Sequence, residues 1–409
     1  MKFPAAVLAA AGWLTTHALV AADWPQWRGA ERNGHSPDAS ILTPWPAGGP
    51  KRVWLFKNAG IGYSGFSIVG KRLFTMAARQ GSEHAICLDP ETGKELWATK
   101  LGPVYTNNWG DGPRSTPTID GEHAYALSAT GILACLKIAN GKEVWRVDFI
   151  KDFQGQLQDW GYTESVLIDG DQLICTPGGS QGTMAALDKK TGKVIWRSKD
   201  LTVAAQYSSP IRIEVGGQPQ YAQLLMRKVV GVSAKDGALR WETNFPGRVA
   251  LIPTLLSRDD HVYATAGYGV GCQMIKLGGK EPEVVYEELS ITNHHGGVIL
   301  VDGKIYGHSD RGGWTCQDFM TGKLEWQNES LGKGACTYVA GHLVCVDESD
   351  GTVALVKADP KAWNEVSRFK LDPQTTLRKK EGRIWTHPVV VNGRLYLRDQ
   401  DLIYCYDVK

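Results

Sequence analysis

The sequence predicts an all-β protein, an eight-bladed β-propeller of four-stranded antiparallel blades whose ring is closed by pairing of an N-terminal strand with the last blade. Three observations lead to this fold: a tandem repeat that ends in tryptophan, a hairpin turn inside each unit, and matching half-units at the two ends of the chain. The 409 residues are 43% hydrophobic and 22% charged, as in soluble globular proteins, and 15 of them are tryptophan.

The repeat is a hairpin whose turn carries an aspartate, a Thr-Gly-Lys step and a tryptophan eight residues after the aspartate. It occurs at 89–97, 188–196 and 318–326, with weaker copies at 137–145 and 233–241. In such a turn the aspartate accepts backbone N–H bonds and the glycine supplies a positive φ. A small residue stands six positions before each turn glycine. We therefore expect each tryptophan ring to pack between neighbouring units.

Counting the strands predicts eight blades. Inner three-strand groups begin near residues 65, 115, 164, 207, 250, 296, 335 and 385, and several contain Asp-Gly or Asn-Gly, the strongest two-residue hairpin signals. Outer strands follow only seven of these groups. The segment 51–56 carries a tryptophan without a preceding turn, and pairing with residues 402–405 would make it the missing outer strand. A seven-bladed ring with an irregular segment is the alternative.

Residues 1–22 predict a secretory signal peptide, with a positive start, an apolar stretch and a small-residue cleavage site near Ala22. An uncleaved membrane anchor is the alternative. We expect a periplasmic or secreted monomer with an N-terminal extension over 23–50 and the propeller over 51–409. No later apolar run approaches the roughly 20 residues of a spanning helix. The formal net charge of +2 gives no field that favours nucleic acid.

The repeat, written A-x-D-x-x-T-G-x-x-x-W, resembles that of the β-propellers built from pyrroloquinoline quinone (PQQ) repeats, the quinoprotein alcohol dehydrogenase-like superfamily. The opening of the extension, Trp24-Pro25-Gln26-Trp27-Arg28-Gly29, is similar to that of secreted bacterial PQQ-binding-like β-propeller repeat proteins. The resemblance implies the fold but leaves the function open. The superfamily holds both quinone-dependent dehydrogenases and the non-catalytic propeller subunit of the outer-membrane protein assembly machinery.

Two function classes follow from the resemblance. The first is a non-catalytic binding or scaffold propeller that engages a ligand or protein partner on its loop face and needs no cofactor. The alternative is a dehydrogenase of alcohols or sugars, to which the resemblance would assign PQQ with Ca²⁺. Glu164, at the start of an inner strand, is either a calcium ligand of that kind or an ordinary polar residue of the rim. The chain lacks the adjacent cysteine pair of the alcohol-oxidising members, and we assign no catalytic residue and no metal site.

A binding surface is predicted at one end of the central channel. There the loops from each outer strand to the next inner strand meet the loops between second and third strands, and these loops are rich in aromatic and basic residues. Simple coverage of the blade ends is the alternative. The candidate binding residues are Asn108, Trp109, Arg114, Trp160, Tyr162, Glu164, Tyr207, Arg227, Arg248, His294, His295, Arg311, Trp385 and His387. The two adjacent histidines would point to opposite faces of an extended segment, which argues against a shared metal.

The hairpin over 336–345 contains one disulfide candidate. If Ala340-Gly341 is a two-residue turn, Cys336 and Cys345 face each other, and an oxidising compartment favours a bond. Cross-strand Cβ atoms lie about 4.5–5.5 Å apart, whereas a disulfide prefers about 3.8 Å, so two free buried cysteines are the alternative. The cysteines that recur at the small position of different blades are predicted to be free and inert.

Overall fold

The computed structural model describes residues 22–409 as eight four-stranded antiparallel sheets, which confirms the eight-bladed propeller. Apart from Ala22, the predicted signal segment lies outside the described residues. Blades 1 to 7 each take four consecutive strands, and blade 8 takes its fourth strand from the N-terminal side of the ring. In the part of the chain that the structure describes, no helix has the length and apolarity that a membrane span requires.

Each blade begins with a short inner strand beside the channel and ends with an outer strand at the rim. Blades 1 and 2 contain β2 (Ser67–Val69), β3 (Arg72–Arg79), β4 (Ser82–Leu88), β5 (Glu95–Pro103), β6 (Thr118–Asp120), β7 (His123–Leu127), β8 (Ile132–Lys137) and β9 (Glu143–Asp148). Blades 3 and 4 contain β10 (Leu167–Asp169), β11 (Gln172–Cys175), β12 (Ala185–Asp188), β13 (Val194–Arg197), β14 (Ile211–Val215), β15 (Gln218–Leu225), β16 (Lys228–Ser233) and β17 (Leu239–Asn244).

The second half of the ring repeats this order. Blades 5 and 6 contain β18 (Leu256–Arg258), β19 (His261–Ala266), β20 (Gly271–Lys276), β21 (Glu283–Glu288), β22 (Val298–Val301), β23 (Lys304–Ser309), β24 (Gly313–Asp318) and β25 (Leu324–Asn328). Blades 7 and 8 contain β26 (Gly334–Val339), β27 (His342–Asp347), β28 (Thr352–Lys357), β29 (Asn364–Lys370), β30 (Val389–Val391), β31 (Arg394–Asp399), β32 (Leu402–Asp407) and β1 (Arg52–Phe56). One short helix, α1 (Phe149–Phe153), follows β9, and Asp148 caps its N-terminus.

Ring closure occurs as the two half-units predicted. Strand β1 pairs antiparallel with β32, with Trp54 opposite Cys405 and Phe56 opposite Ile403. The Trp54 ring reaches the first blade, where its Nε1 donates to the carbonyl of Pro90 at 2.8 Å. The two ends of the propeller are therefore joined both by a strand ladder and by a side chain that links blade 8 to blade 1.

The repeated tryptophans connect each blade to the next. On the ladder, Trp97 lies directly opposite the small residue Cys87, and its Nε1 donates to the carbonyl of Ile138 in the following blade at 3.0 Å. A Cβ on the turn glycine of that blade, Gly141, would lie 2.6 Å from the Trp97 ring, and the glycine has a φ of +70°. Glycine is thus needed at this turn for two reasons: its φ is positive, and a larger residue would clash with the tryptophan ring.

The N-terminal extension fills the central channel, a path that its sequence did not predict. Residues 22–38, which we call the central plug, bond to inner strands or adjoining residues in all eight blades: Ile68, Ile119, Val166, Pro210, Thr254, Val298, Tyr338 and Asn392. Beyond the plug, the chain crosses blades 7 and 8, where Trp45 packs against Phe369, and then enters β1. One short segment therefore ties the whole ring together at its axis.

Arg32 is the main anchor of the central plug. Its buried guanidinium donates to the carbonyls of Ser165 at 2.9 Å and Pro210 at 3.0 Å, and also to Val166. Burial lowers the pKa of Arg32 to about 9, while the charge of Glu164 opposes that shift. Burial also raises the pKa of Glu164 to about 7, against hydrogen bonds from Thr176 and the charge of Arg32.

The predicted register of the 336–345 hairpin is confirmed, and of the two alternatives for its cysteines the structure has the pair of free thiols. Cys336 lies opposite Cys345, and both are buried and unbonded. The ordinary cross-strand Cβ separation exceeds what a disulfide bridges without local distortion. The cysteines at the small blade positions are also free, as predicted, and burial raises the pKa of Cys87, for example, to about 12. Such thiols stay protonated and unreactive at neutral pH.

Candidate functional site

A cavity of about 220 Å³ opens at the predicted end of the channel, among the loops that join outer to inner strands. We call it the loop-face pocket. Seven of its twenty lining residues are tryptophan or tyrosine, two are arginine and three are histidine, and none is aspartate or glutamate. The lining residues are Trp27, Arg28, Tyr63, Trp109, Arg114, Trp160, Thr163, Ser165, Tyr207, Ser209, Ala250, Ile252, Pro253, Thr254, Tyr268, His294, His295, Gly297, Trp385 and His387.

The floor of the loop-face pocket belongs to the central plug. The Trp27 ring lies 4.6 Å from that of His387, and its Nε1 donates to the Thr254 hydroxyl at 2.9 Å. Arg28 lies beside it, with its Nε bonded to the carbonyl of Arg32 at 3.2 Å. The extension therefore does more than close the channel, because it supplies two side chains to the site.

One wall of the pocket is a continuous row of rings, and it includes both His294 and His295, so the expectation that these two side chains point to opposite faces is wrong. His294 and His295 have centroids 4.0 Å apart, His295 stacks on Trp385 at 4.4 Å, and Trp385 lies 4.9 Å from Tyr63. Tyr268 extends the row at the mouth, 4.5 Å from His294 in an edge-on arrangement. Aromatic contacts at these separations are favourable and hold the rings in place. This wall is consequently preformed.

The lining also contains a second aromatic pair and an arginine that lies over two tyrosine rings. Trp160 and Tyr207 meet edge-on at 5.6 Å. Arg114 lies over the rings of Tyr63, at 5.6 Å, and Tyr105, at 5.1 Å, while its Nη2 donates to the carbonyl of Gly110 at 2.8 Å. These contacts place a guanidinium within a mainly apolar enclosure.

The pocket histidines are neutral at neutral pH. Lys333 Nζ lies 2.9 Å from His294 Nδ1 and 2.6 Å from Asp310. Because an ammonium group only donates, the ring proton of His294 stands on Nε2. Burial, reinforced by Lys333, lowers the pKa of His294 to about 4, and burial lowers that of His387 to about 4. The pKa of His295 also falls well below its usual value, mainly through burial.

Eight of the fourteen candidate residues meet in the loop-face pocket: Trp109, Arg114, Trp160, Tyr207, His294, His295, Trp385 and His387. Their part in binding stays a prediction. Asn108, Arg227, Arg248 and Arg311 are exposed outside the lining.

The other two candidates are buried beneath the loops and do not line the pocket. Tyr162 packs edge-on against Phe149 at 5.2 Å, and its hydroxyl donates to the Pro177 carbonyl. Glu164 accepts the backbone N–H of Thr176 and faces Arg32. Both residues lie on inward-facing positions of the predicted loops, which sequence position alone does not reveal.

Sequence reasoning missed the floor residues Trp27 and Arg28. They stand in the non-repeating extension, so the blade periodicity carries no information about their place. The opening motif around Trp27 was the available signal, because two tryptophans and an arginine within six residues are unusual for an unstructured leader to a domain. Tyr63, Thr163, Ser165, Ser209 and Thr254 also line the pocket and were not among the candidates.

Large apolar side chains are exposed on the loop face, in and beyond the pocket. Trp109 and Tyr268 are 44% and 43% exposed although both line the pocket. Three further exposed side chains, Leu157, Leu289 and Leu377, stand on loops that join an outer strand to the next inner strand, at the same end of the ring. We call these five residues the apolar rim. Exposed apolar residues gathered on one face mark interaction surfaces more often than singly scattered ones do.

The tryptophans of the blades and of the pocket are expected to respond differently to truncation. Trp196 is buried against Gly237 of the next blade, so Trp196→Ala should leave a cavity and lower the free energy of unfolding by about 3–5 kcal/mol. Trp160→Ala, in the open pocket, should cost about 1 kcal/mol or less. Denaturant unfolding of the two variants measures the difference, and equal losses would contradict the division.

Comparison with known proteins agrees with this architecture. The family model described as "Outer membrane protein assembly factor BamB" matches residues 81–328, more than half of the chain. The chain belongs to this family. It is 23% identical to the BamB protein of Yersinia pestis, over 86% of this chain and 77% of that protein. It is 21% identical to that of Moranella endobia (strain PCIT), over 64% of this chain and 69% of that protein.

Solved structures with the same fold come from both function classes. The crystal structure of BamB from Moraxella catarrhalis aligns with a TM-score of 0.61 at 18% identity, over 88% of this chain and 98% of that one. Quinohemoprotein alcohol dehydrogenase from Comamonas testosteroni aligns with a TM-score of 0.63 at 11% identity, over 94% and 80%. At these identities the likeness shows the fold, and the function has to be argued from the site.

Proposed function

We propose that this protein is a non-catalytic binding propeller that docks a partner protein on its loop face, with one group of the partner entering the loop-face pocket. The family supports a scaffold role, since its model and the matching relatives are described as assembly factors for outer membrane proteins. We place the protein in the periplasm or outside the cell, in line with the predicted signal peptide. We also propose that the propeller is a monomer.

The observation that carries the proposal is that an aromatic-rich pocket and the exposed apolar rim lie on the same face of the ring. Binding energy at protein interfaces concentrates in pockets that accept an anchoring side chain, with nearby contacts that exclude water. Here the pocket would hold the anchoring group, while Trp109, Tyr268 and the three rim leucines offer further apolar surface on the same face. A small-molecule site would need the pocket but not the exposed rim.

The dehydrogenase alternative receives less support from the donor groups of the site. Ca²⁺ takes about six to eight oxygen ligands, several of them carboxylates. The pocket lining contains no carboxylate, and no group of three or more His, Cys, Asp or Glu residues suited to a metal occurs within residues 22–409. Glu164, the candidate calcium ligand, lies outside this lining; its Oε1 accepts the backbone N–H of Thr176, and its Oε2 is buried without a partner among residues 22–409. The residues present do not fit a quinone–calcium pair, and we propose no step through one.

Site-specific photo-crosslinking in the native cell envelope tests the docking face. A photoreactive amino acid at Tyr268, on the rim, should capture a protein that mass spectrometry identifies. The matched control is the same amino acid at Ile195, which is 48% exposed on the outer strand β13 of blade 3. Capture from position 195 with none from position 268 would place the interface on the outer edge and contradict the proposal.

A further inference from the structure

We propose that the floor of the loop-face pocket recognises a carboxylate carried on a small aromatic group, with the charged end on Arg28 of the central plug. The inference rests on the proposed binding function and names the chemistry of the group that enters the pocket. Arg28 is consequently the residue that selects among candidate partners.

Arg28 carries a buried charge that the protein does not neutralise. It is only 4% exposed, and its Nε and Nη2 donate to the backbone carbonyls of Arg32, Asn33 and Val298. Its Nη1 bonds to no protein atom among residues 22–409. Burial lowers the pKa of Arg28 to about 10, so the side chain remains a cation at neutral pH. A buried cation held only by neutral carbonyls costs free energy that contact with an anion offsets.

Arg32 and Arg114, two other arginines near the channel, use their guanidinium nitrogens on protein atoms. Arg32 donates through Nε to Gln26, through Nη1 to Ser165 and Pro210, and through Nη2 to Val166. Arg114 donates through Nη1 to Gly112 and through Nη2 to Gly110. Of these three arginines, Arg28 alone has a terminal nitrogen, Nη1, without a hydrogen-bond partner among residues 22–409.

The pocket lining offers an anion no repulsion. It contains no acidic residue, and its three histidines are neutral at neutral pH because burial lowers their pKa values. With Lys333 on Nδ1, His294 carries its proton on Nε2, a neutral donor that is buried with no partner in the described part of the chain.

The remaining surfaces favour a compact ring for the body of the group. Trp385, Trp160 and Trp27 all line the cavity and can contact a flat ring. The cavity of about 220 Å³ is smaller than the sites of roughly 300–1,000 Å³ that hold drug-sized ligands. A side-chain-sized aromatic acid therefore matches the space better than a large polycyclic molecule.

Binding of a matched acid and amide tests the inference on the unaltered protein. Indole-3-acetate and indole-3-acetamide have nearly the same size and differ in charge. We expect the full chain to bind the acid at least about tenfold more tightly, as a charge-assisted hydrogen bond implies, measured by calorimetry at moderate ionic strength. Equal affinities, or no acid binding, would overturn the anion site. Neither result would alter crosslinking from Tyr268, which tests the docking face separately.

Two substitutions of Arg28 test whether this residue causes the preference for the acid over the amide. Arg28→Gln should abolish the acid-over-amide ratio, and Arg28→Lys, which keeps the charge, should retain part of the ratio. Circular dichroism and melting confirm folding of both. An unchanged ratio in Arg28→Gln would assign the anion elsewhere and overturn the role of Arg28.

Competition distinguishes the two sources of such a group. If the acid suppresses crosslinking of the partner at Tyr268, the aromatic acid is supplied by the partner itself. If the acid binds without affecting the crosslink, the pocket takes a free small molecule beside the docked partner. Either result supports the shared chemistry of an aromatic carboxylate on Arg28.

Discussion

Replacing residues 51–57 by a glycine–serine segment of equal length should lower the free energy of unfolding by about 5 kcal/mol or more. The change removes the β1–β32 ladder and with it the only outer strand of blade 8. It also removes the Trp54 ring from Gly93 and Pro90 of blade 1. A loss of this size is comparable to the net stability of many domains, so the ring is expected to open at ordinary temperature.

The matched control is a glycine–serine replacement of 278–282, an exposed turn between β20 and β21. That replacement should leave the melting temperature nearly unchanged. If the 51–57 variant had the same melting temperature as the control, the pairing of β1 with β32 would not be what stabilises the ring.

Arg32→Met is expected to lower the stability about as much as Trp196→Ala, through loss of hydrogen bonds rather than through a cavity. It leaves the carbonyls of Ser165, Val166 and Pro210 without their donor and removes the positive charge that lowers the pKa of Glu164. Removing one partner from a buried charged network costs about 3–5 kcal/mol. We expect a loss in that range by chemical denaturation.

Arg212→Met provides the control on the surface. Arg212 is paired with Asp169 at 3.1 Å, but its side chain is 45% exposed. An exposed pair contributes about 1 kcal/mol or less. Equal effects of the two substitutions would mean that the plug does not stabilise the ring through Arg32.

The blades could be predicted from the sequence because their determinants repeat. The spacing of Trp97 and Gly141 recurs from unit to unit, because in each blade a tryptophan ring packs against the turn glycine of the next blade. Closure was predictable for the same reason, because Trp54 stands in a half-unit that needs a partner at the other end. A sequence pattern that repeats with the blades therefore predicts the propeller fold reliably.

The site was only partly predictable because its determinants do not repeat. Loop position placed Trp160 and His295 at the correct end, yet the same criterion admitted Tyr162, which is buried below the pocket. Trp27 and Arg28 reach the pocket through the channel, a route that depends on the closed ring and on no local pattern. Their contribution became visible only with all eight blades in place.

The affinity of the crosslinked partner for pocket and edge variants tests most directly whether the loop face is the binding surface. The partner, once identified and purified, is titrated against the wild type, Trp160→Ala and Ile195→Ala. We predict that Trp160→Ala weakens binding by about thirtyfold, as expected for loss of a central aromatic contact worth about 2 kcal/mol, while Ile195→Ala leaves it unchanged. Unchanged affinity in Trp160→Ala together with a loss in Ile195→Ala would contradict the account.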